Sequence, residues 1–165
     1  MLSPLQLLRI NTPSRGTHVN FLFFVSGHFL AALLFYVNHR FIFHTKFGNK
    51  KYIRGWKRVH TLHHKHDYKQ GWQRYATIPW QGWVGFIIIA ALIGYGSNFY
   101  FGIGLLSYVI AYEVVHYLIH KNPQSAYLAK FHWNHHRKDP HTNFATIYTF
   151  LDKIFGTYEK KDLKT

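Results

Sequence analysis

Three long apolar blocks dominate the chain and limit what it can fold into. The first runs from Val19 to Val37 as VNFLFFVSGHFLAALLFYV, the second from Trp83 to Tyr95 and the third from Phe99 to Ile119. A helix that crosses a bilayer needs roughly 20 apolar residues, with about 17 as the lower limit. The first and third blocks meet that length. The second meets it by starting near Ile78, where Pro79 suits a first helical turn and Trp80 and Trp83 suit the membrane interface. A chain of 165 residues holds too little other protein to bury three such helices in a soluble core. The fold class expected is therefore an all-α integral membrane protein with about three transmembrane helices, over residues 19–38, 78–96 and 99–119. The segment before Val19 is long, and no small-x-small cleavage site follows Val37, so the first block reads as a span and not as a signal peptide. Residues 1–18 form a separate N-terminal segment, in which Leu5 to Ile10 offers a short stretch for the interface.

Charge orients the spans. Between His39 and Gln81 lie ten Lys or Arg residues against Asp67 alone, and eight more follow His120. The amino-terminal segment has only Arg9 and Arg15, and the Gly96 to Asn98 turn has none. Lys and Arg collect on the cytoplasmic side of membrane proteins, which places residues 39–77 and 120–165 there as a cap and leaves the amino terminus outside. The net charge of +14 fits attraction to anionic headgroups. No nucleic-acid motif accompanies it, so nucleic acid is excluded as a partner. Residues 19–165 then form one multi-pass membrane domain.

Ten of the fourteen histidines fall into four groups: His39 and His44; His60, His63 and His64; His116 and His120; His132, His135 and His136. The two HxxHH triplets place imidazoles at i, i+3 and i+4, so each can direct three rings from one helical face towards one small region. His116 and His120 share a face at the end of the third span. His39 and His44 are five apart and fit no single α-helical face, so a helix ending near His39 should turn to let them converge. So many imidazoles buried together without a metal would leave donors and acceptors unmatched.

Ten ligands exceed the capacity of one ion, so two metals are expected. There is no cysteine, and thiolate-free imidazole ligation suits iron, zinc or copper and not calcium or magnesium. Structural zinc needs only four ligands and leaves no open position. Iron activates dioxygen, and attack on an inert C–H bond of a neighbouring lipid is the task that calls for it. Two Fe ions with dioxygen as cosubstrate are therefore expected, zinc remaining able to occupy the same site in a purified sample.

Glu113 lies three residues before His116 inside an apolar span, where an ionisable residue is functional by default. It is expected to accept the free N–H of a ligating imidazole. Asp139 and Asp67, each three residues after a triplet, are weaker candidates for the same role, and Thr142 and Asn143 for hydrogen bonds near the metal or a headgroup. His18 and His28 read as interfacial and core residues, and His66 and His141 as outer or surface residues.

The order H39-x4-H44, H60-x2-H63-H64, H116-x3-H120, H132-x2-H135-H136 resembles the fatty acid hydroxylase superfamily, which includes sterol desaturases, fatty acid 2-hydroxylases and carotenoid hydroxylases. The stretches NHRFIFH, RVHTLHHKHD, YEVVHYLIH, KFHWNHHRKDPHTNF and LDKIFGTY carry the likeness from Asn38 to Tyr158. The box spacings and the closing DKIFGTY most resemble the fatty acid 2-hydroxylase branch. The resemblance implies a non-haem di-iron monooxygenase of the endoplasmic reticulum or a bacterial inner membrane. Its ten histidines would be metal ligands on the cytosolic side, and its substrate a lipid, most plainly a fatty acyl chain. Desaturation, or a sterol or carotenoid substrate, is the alternative on the same scaffold, and a non-catalytic metal-binding membrane protein the alternative outside it. Two departures stand out: one span, not a hairpin, precedes the first box, and no fused cytochrome b5 domain is present. Electrons are accordingly expected from a separate donor such as cytochrome b5 or a ferredoxin and its reductase.

Overall fold

The computed structural model describes residues 15–66, 78–121 and 127–159. Leu5 to Ile10 and Asp67 lie outside these. The described residues form an all-α fold of six α-helices and contain no strand: α1 Arg15–Val37, α2 Arg54–His66, α3 Trp80–Gly96, α4 Phe99–Lys121, α5 Tyr127–Arg137 and α6 Thr149–Ile154. Two helical stretches have the length and apolar composition to cross a membrane, Gly16–Phe43 and Phe99–Lys121. The third, α3, is a shorter apolar helix of 17 residues, at the lower bound of about 17 for a span. Pro79 caps α3 in extended conformation and does not enter its first turn, because the missing amide hydrogen is harmless just outside a helix.

The long helices pack through glycine. A Cβ on Gly104 would collide with the Phe24 carbonyl, and one on Gly27 with the Phe101 carbonyl. The α1 and α4 backbones thus approach each other as small residues allow in apolar surroundings. Around this contact Ala31, Ala32, Tyr36 and Tyr108 form a core with Phe144, Ala145 and Leu151 of the C-terminal segment. A second core joins Ile119 of α4 to Ala129 and Trp133 of α5, which seats the last helix on the end of α4. The outward side chains of the long helices are large and apolar: Phe21, Leu22, Ile88, Leu92 and Ile110 are all more than half exposed. Such a surface suits lipid and not water.

The first helix does not stop at His39. It continues as a π-helix over Asn38–Phe43, whose wider turn pairs residues five apart. His39 and His44 therefore come to 5.0 Å between ring centroids without a break in the chain. This corrects the expected helix end, and it makes the spacing of five a property of the turn.

Candidate metal centre

Successive residues of an α-helix are about 100° apart around the axis, so i and i+4 lie within about 40° while i+3 stands about 100° from i+4. Each HxxHH triplet is therefore split and does not serve one point. From α2, His60 and His64 face one way and His63 the other; from α5, His132 and His136 face one way and His135 the other. The structure completes both halves. One group is His39, His44, His60, His64 and His135, the other His63, His116, His120, His132 and His136, and within each the ring nitrogens lie within 4.8 Å of one another. All ten histidines singled out in the sequence are thus brought together, as two sets of five. His64 and His136 stack between the sets with ring centroids 4.0 Å apart.

The geometry tests whether the sets fit metal ions. In the first, Nε2 of His60 lies 2.9 Å from Nε2 of both His44 and His64. In the second, Nε2 of His132 lies 2.9 Å from Nε2 of both His116 and His120, and His63 and His136 approach at 3.0 Å. Metal–imidazole bonds of roughly 2.1 Å at right angles put neighbouring nitrogens roughly 3.0 Å apart, which is the spacing seen. His39 Nδ1 donates to the Phe144 carbonyl at 2.6 Å and His135 Nδ1 to the Thr142 carbonyl at 2.7 Å. With the proton fixed on Nδ1, each Nε2 presents a lone pair inward. Both Nε2 atoms are buried and have no hydrogen-bond partner among the described residues, as a metal-ligating nitrogen requires. Burial, reinforced by the neighbouring imidazoles, holds His60, His63, His132, His135 and His136 well below the ordinary imidazole value. His44 is lowered by the same causes. The rings are neutral at physiological pH, the form that binds a metal.

The loop after α5 fixes the carbonyls that orient the first set. The Asp152 carboxylate accepts the amides of Phe144 and Ala145 at 2.8 and 3.0 Å and the Thr157 hydroxyl at 2.8 Å. It is fully buried, and it acts on His39 through the Phe144 carbonyl. Sequence reasoning missed Asp152. Its signal was one of only six acids in a strongly basic chain, set in an apolar context.

The acidic and amide candidates each bond to backbone. Glu113 Oε1 accepts the backbone N–H of Ile78 at 2.9 Å, which ties the entry of α3 to α4. Asp139 accepts the His141 amide at 2.8 Å and shapes the turn after α5. Asn143, with a φ of 53° that asparagine tolerates better than most residues, clasps Glu159 through both ends of its amide. Thr142 contributes its carbonyl and not its hydroxyl. His28 proved to be a bonded core residue, with Ser107 on one nitrogen and Tyr148 on the other, both at 2.7 Å. His18 and His141 are exposed.

A cavity of about 80 Å³ abuts the first set. His39 and His60 form part of its wall, and Phe35, Tyr36, Phe43, Trp56, Phe86, Tyr108, Tyr112 and Phe144 give it an aromatic lining. Tyr112 also stacks on His116 at 5.4 Å, so the same wall reaches the second set.

Ten imidazoles in two pentads, carried at the ends of membrane-length helices and on the shorter helices that follow them, define a histidine-box protein of the bilayer. The chain belongs to the fatty acid hydroxylase family, whose model matches residues 24–157. It is 33% identical over 146 residues to dihydroceramide fatty acyl 2-hydroxylase FAH1 of Arabidopsis thaliana, covering 81% of this chain and 59% of that protein. It is 28% identical over 142 residues to FAH2 of the same plant, covering 76% and 55%. The solved structure of full-length scs7p, in which only the hydroxylase domain is visible, superposes with a TM-score of 0.69 at 22% identity, covering 87% of this chain and 58% of that one. The chain thus spans little more than half the length of these relatives.

Proposed function

We propose that this chain is a membrane-embedded hydroxylase that uses two iron ions and dioxygen to insert oxygen into a C–H bond of a fatty acyl chain. The observation that carries this reading is the placement of two members of one histidine pentad, His39 and His60, in the wall of an aromatic cavity beside membrane-length helices. Iron held by the pentads supplies dioxygen activation and removal of hydrogen from carbon. The reaction places one oxygen atom in the product and reduces the other to water, consuming two electrons and two protons from a separate donor.

The protein's own residues supply position and exclusion. The Nδ1 bonds of His39 and His135 hold their rings against rotation. The aromatic lining excludes water and packs against methylene groups. Within that lining Thr146 is 3% exposed, and its hydroxyl has no partner among the described residues. Polar groups placed sparingly in an apolar pocket fix a ligand's orientation, which suits Thr146 and the neighbouring Asn38 to the ester or amide end of an acyl lipid. α1, α3 and α4 read as three spans with the histidine helices as a cap on the cytosolic side, supported by the Lys and Arg bias of residues 39–81 and of the tail.

The test is product analysis with iron-loaded protein, a reductase system, isotopically labelled dioxygen and defined acyl lipids. The expected product carries one labelled oxygen on the acyl chain. A new double bond without label would identify a desaturase on the same scaffold. Absence of any product from protein with both pentads loaded would overturn the catalytic reading.

A further inference from the structure

The C-terminal segment after α5 contacts α1 at levels that an extramembrane tail would not reach. At its start, the Phe144 carbonyl bonds His39, near the end of the first span. Four residues later the Tyr148 hydroxyl bonds His28 at 2.7 Å. His28 is eleven residues back along a continuous helix, a descent of roughly 16 Å at about 1.5 Å per residue. The Tyr148 and Phe150 rings both lie against Phe29, with centroids 5.4 and 6.4 Å away. The chain then climbs again. Phe155 stacks on Tyr36 at 5.0 Å, the Thr157 hydroxyl bonds that of Tyr36 at 2.7 Å, and the Phe155 carbonyl accepts from Arg40 at 3.3 Å. Both arms meet at a neck where Asn143 takes the Thr157 carbonyl on its amide N–H at 2.8 Å.

We propose that residues 144–156 form a re-entrant loop that enters the acyl-chain region of the cytosolic leaflet beside α1, its outer face in contact with lipid. The proposal rests on the membrane placement of α1 and not on catalysis. Its support is how the loop satisfies its backbone. Inside a bilayer, non-helical backbone is tolerated only where protein buries it, and lipid-facing backbone must be helical. Phe144, Ala145 and Thr146, which are not helical, are buried, Ile147 and Tyr148 after them are half-buried, and the amides of Phe144 and Ala145 are taken by Asp152. The exposed stretch is α6 and the turn that closes it, Phe155 and Gly156, which lies higher, beside Tyr36 and Arg40, and whose amides bond the Leu151 and Lys153 carbonyls. Phe150 is 41% exposed and Ile154 69%, and both belong to that helix. The charge on the outer face is turned away: Lys153 lies over the Tyr158 ring at 5.1 Å, and Tyr158 packs on Phe131 of α5 in the cap. Long basic side chains near an interface bend back in this manner. The exposed face continues the apolar surface of α1, where Phe29, Leu33, Val37 and Phe41 are also exposed. The inner face, through Phe144, Ala145, Thr146 and Leu151, walls the aromatic cavity, so the loop stands between that cavity and the bilayer.

The chain has no cysteine, so single cysteines can be introduced cleanly. Phe150→Cys and Ile154→Cys would carry a bimane fluorophore in full-length protein reconstituted in phosphatidylcholine vesicles. Leu30→Cys on the exposed face of α1 gives the membrane reference and Pro140→Cys in the cap the aqueous one. Lipids brominated on their acyl chains and aqueous acrylamide are the two quenchers. The expected result is that the labels at 150 and 154 match Leu30, with quenching by bromolipid stronger at 150 than at 154 and acrylamide quenching well below that at Pro140. Acrylamide quenching at 150 equal to that at Pro140, with Leu30 still lipid-quenched, would overturn the loop and leave the membrane reading intact, as would a label at 150 shielded from both quenchers. A Leu30 label open to acrylamide would remove the membrane reading and the loop together.

Discussion

The two pentads have the same composition but are held differently. The second is built from helices alone: His116 and His120 close α4, His132 and His136 come from α5 and His63 from α2. The first takes only three of its five rings from α2 and α5, the others coming from the π-turn and its end. Two of its members are oriented by backbone carbonyls in the loop after α5, and that loop is itself ordered by a buried carboxylate. The first pentad also forms part of the cavity wall, whereas the second touches that wall through Tyr112. The contrast teaches that one set is carried wholly on helices, and the other partly on an irregular segment, with the loop after α5 lining the same cavity.

The sharpest way to break this comparison is to remove a ligand from one set at a time. His135→Ala should abolish product formation and lower bound metal from two ions per chain towards one, and His136→Ala should do the same to the other ion. Metal content by plasma mass spectrometry, alongside product assays, checks this, and an unchanged metal count in both variants would show that the pentads are not ligand sets.

Acidification comes next. Burial depresses the folded-state values of His60 and His135 in one set and His63, His132 and His136 in the other. In the unfolded chain these rings titrate near 6.5. Between the depressed values and about 6.5 the unfolded state binds more protons, so the stabilisation is full above that pH and is lost as the pH falls below it. Metal release measured from pH 8 downward should therefore begin only below about pH 6.5, with protons taken up as ions leave. Release that is independent of pH would contradict neutral imidazole ligation.

Asp152→Ala separates the two sets by indirect means. It leaves the buried amides of Phe144 and Ala145 without an acceptor, at about 1–3 kcal/mol for each unmet group. A fall in thermal midpoint is expected, with metal lost mainly from the first set. Equal loss from both would show that the loop does not act through His39. The smallest effect is expected of Thr146→Val, which keeps the shape and removes the hydroxyl. Metal content should hold, KM should rise several-fold, and Thr146→Ser should restore it. An unaltered KM would remove Thr146 from substrate orientation.

The ten histidines were legible in the sequence because their spacing is helical, and the apolar blocks because they are long and almost unbroken; a linear string displays both spacing and run length. The partition of each triplet follows from the same helical angles but needs a second centre on the far side to give it meaning, and no single helix states where that centre lies. The π-turn was hidden because a spacing of five fits a broken helix as well as a wide one. Asp152 was hidden because its partners are two backbone amides and one threonine hydroxyl, and main-chain donors leave no mark on the sequence. The bond from the Ile78 amide to Glu113 was hidden for the same reason, since its donor is main chain.

Because α2 and α5 each lend rings to both pentads, neither helix can rotate about its axis to improve one coordination shell without spoiling the other. Filling the first shell with an ion should therefore lock the two helices in the register that the second demands. The empty apoprotein would then tend to take up its metals as a pair, with few molecules carrying just one.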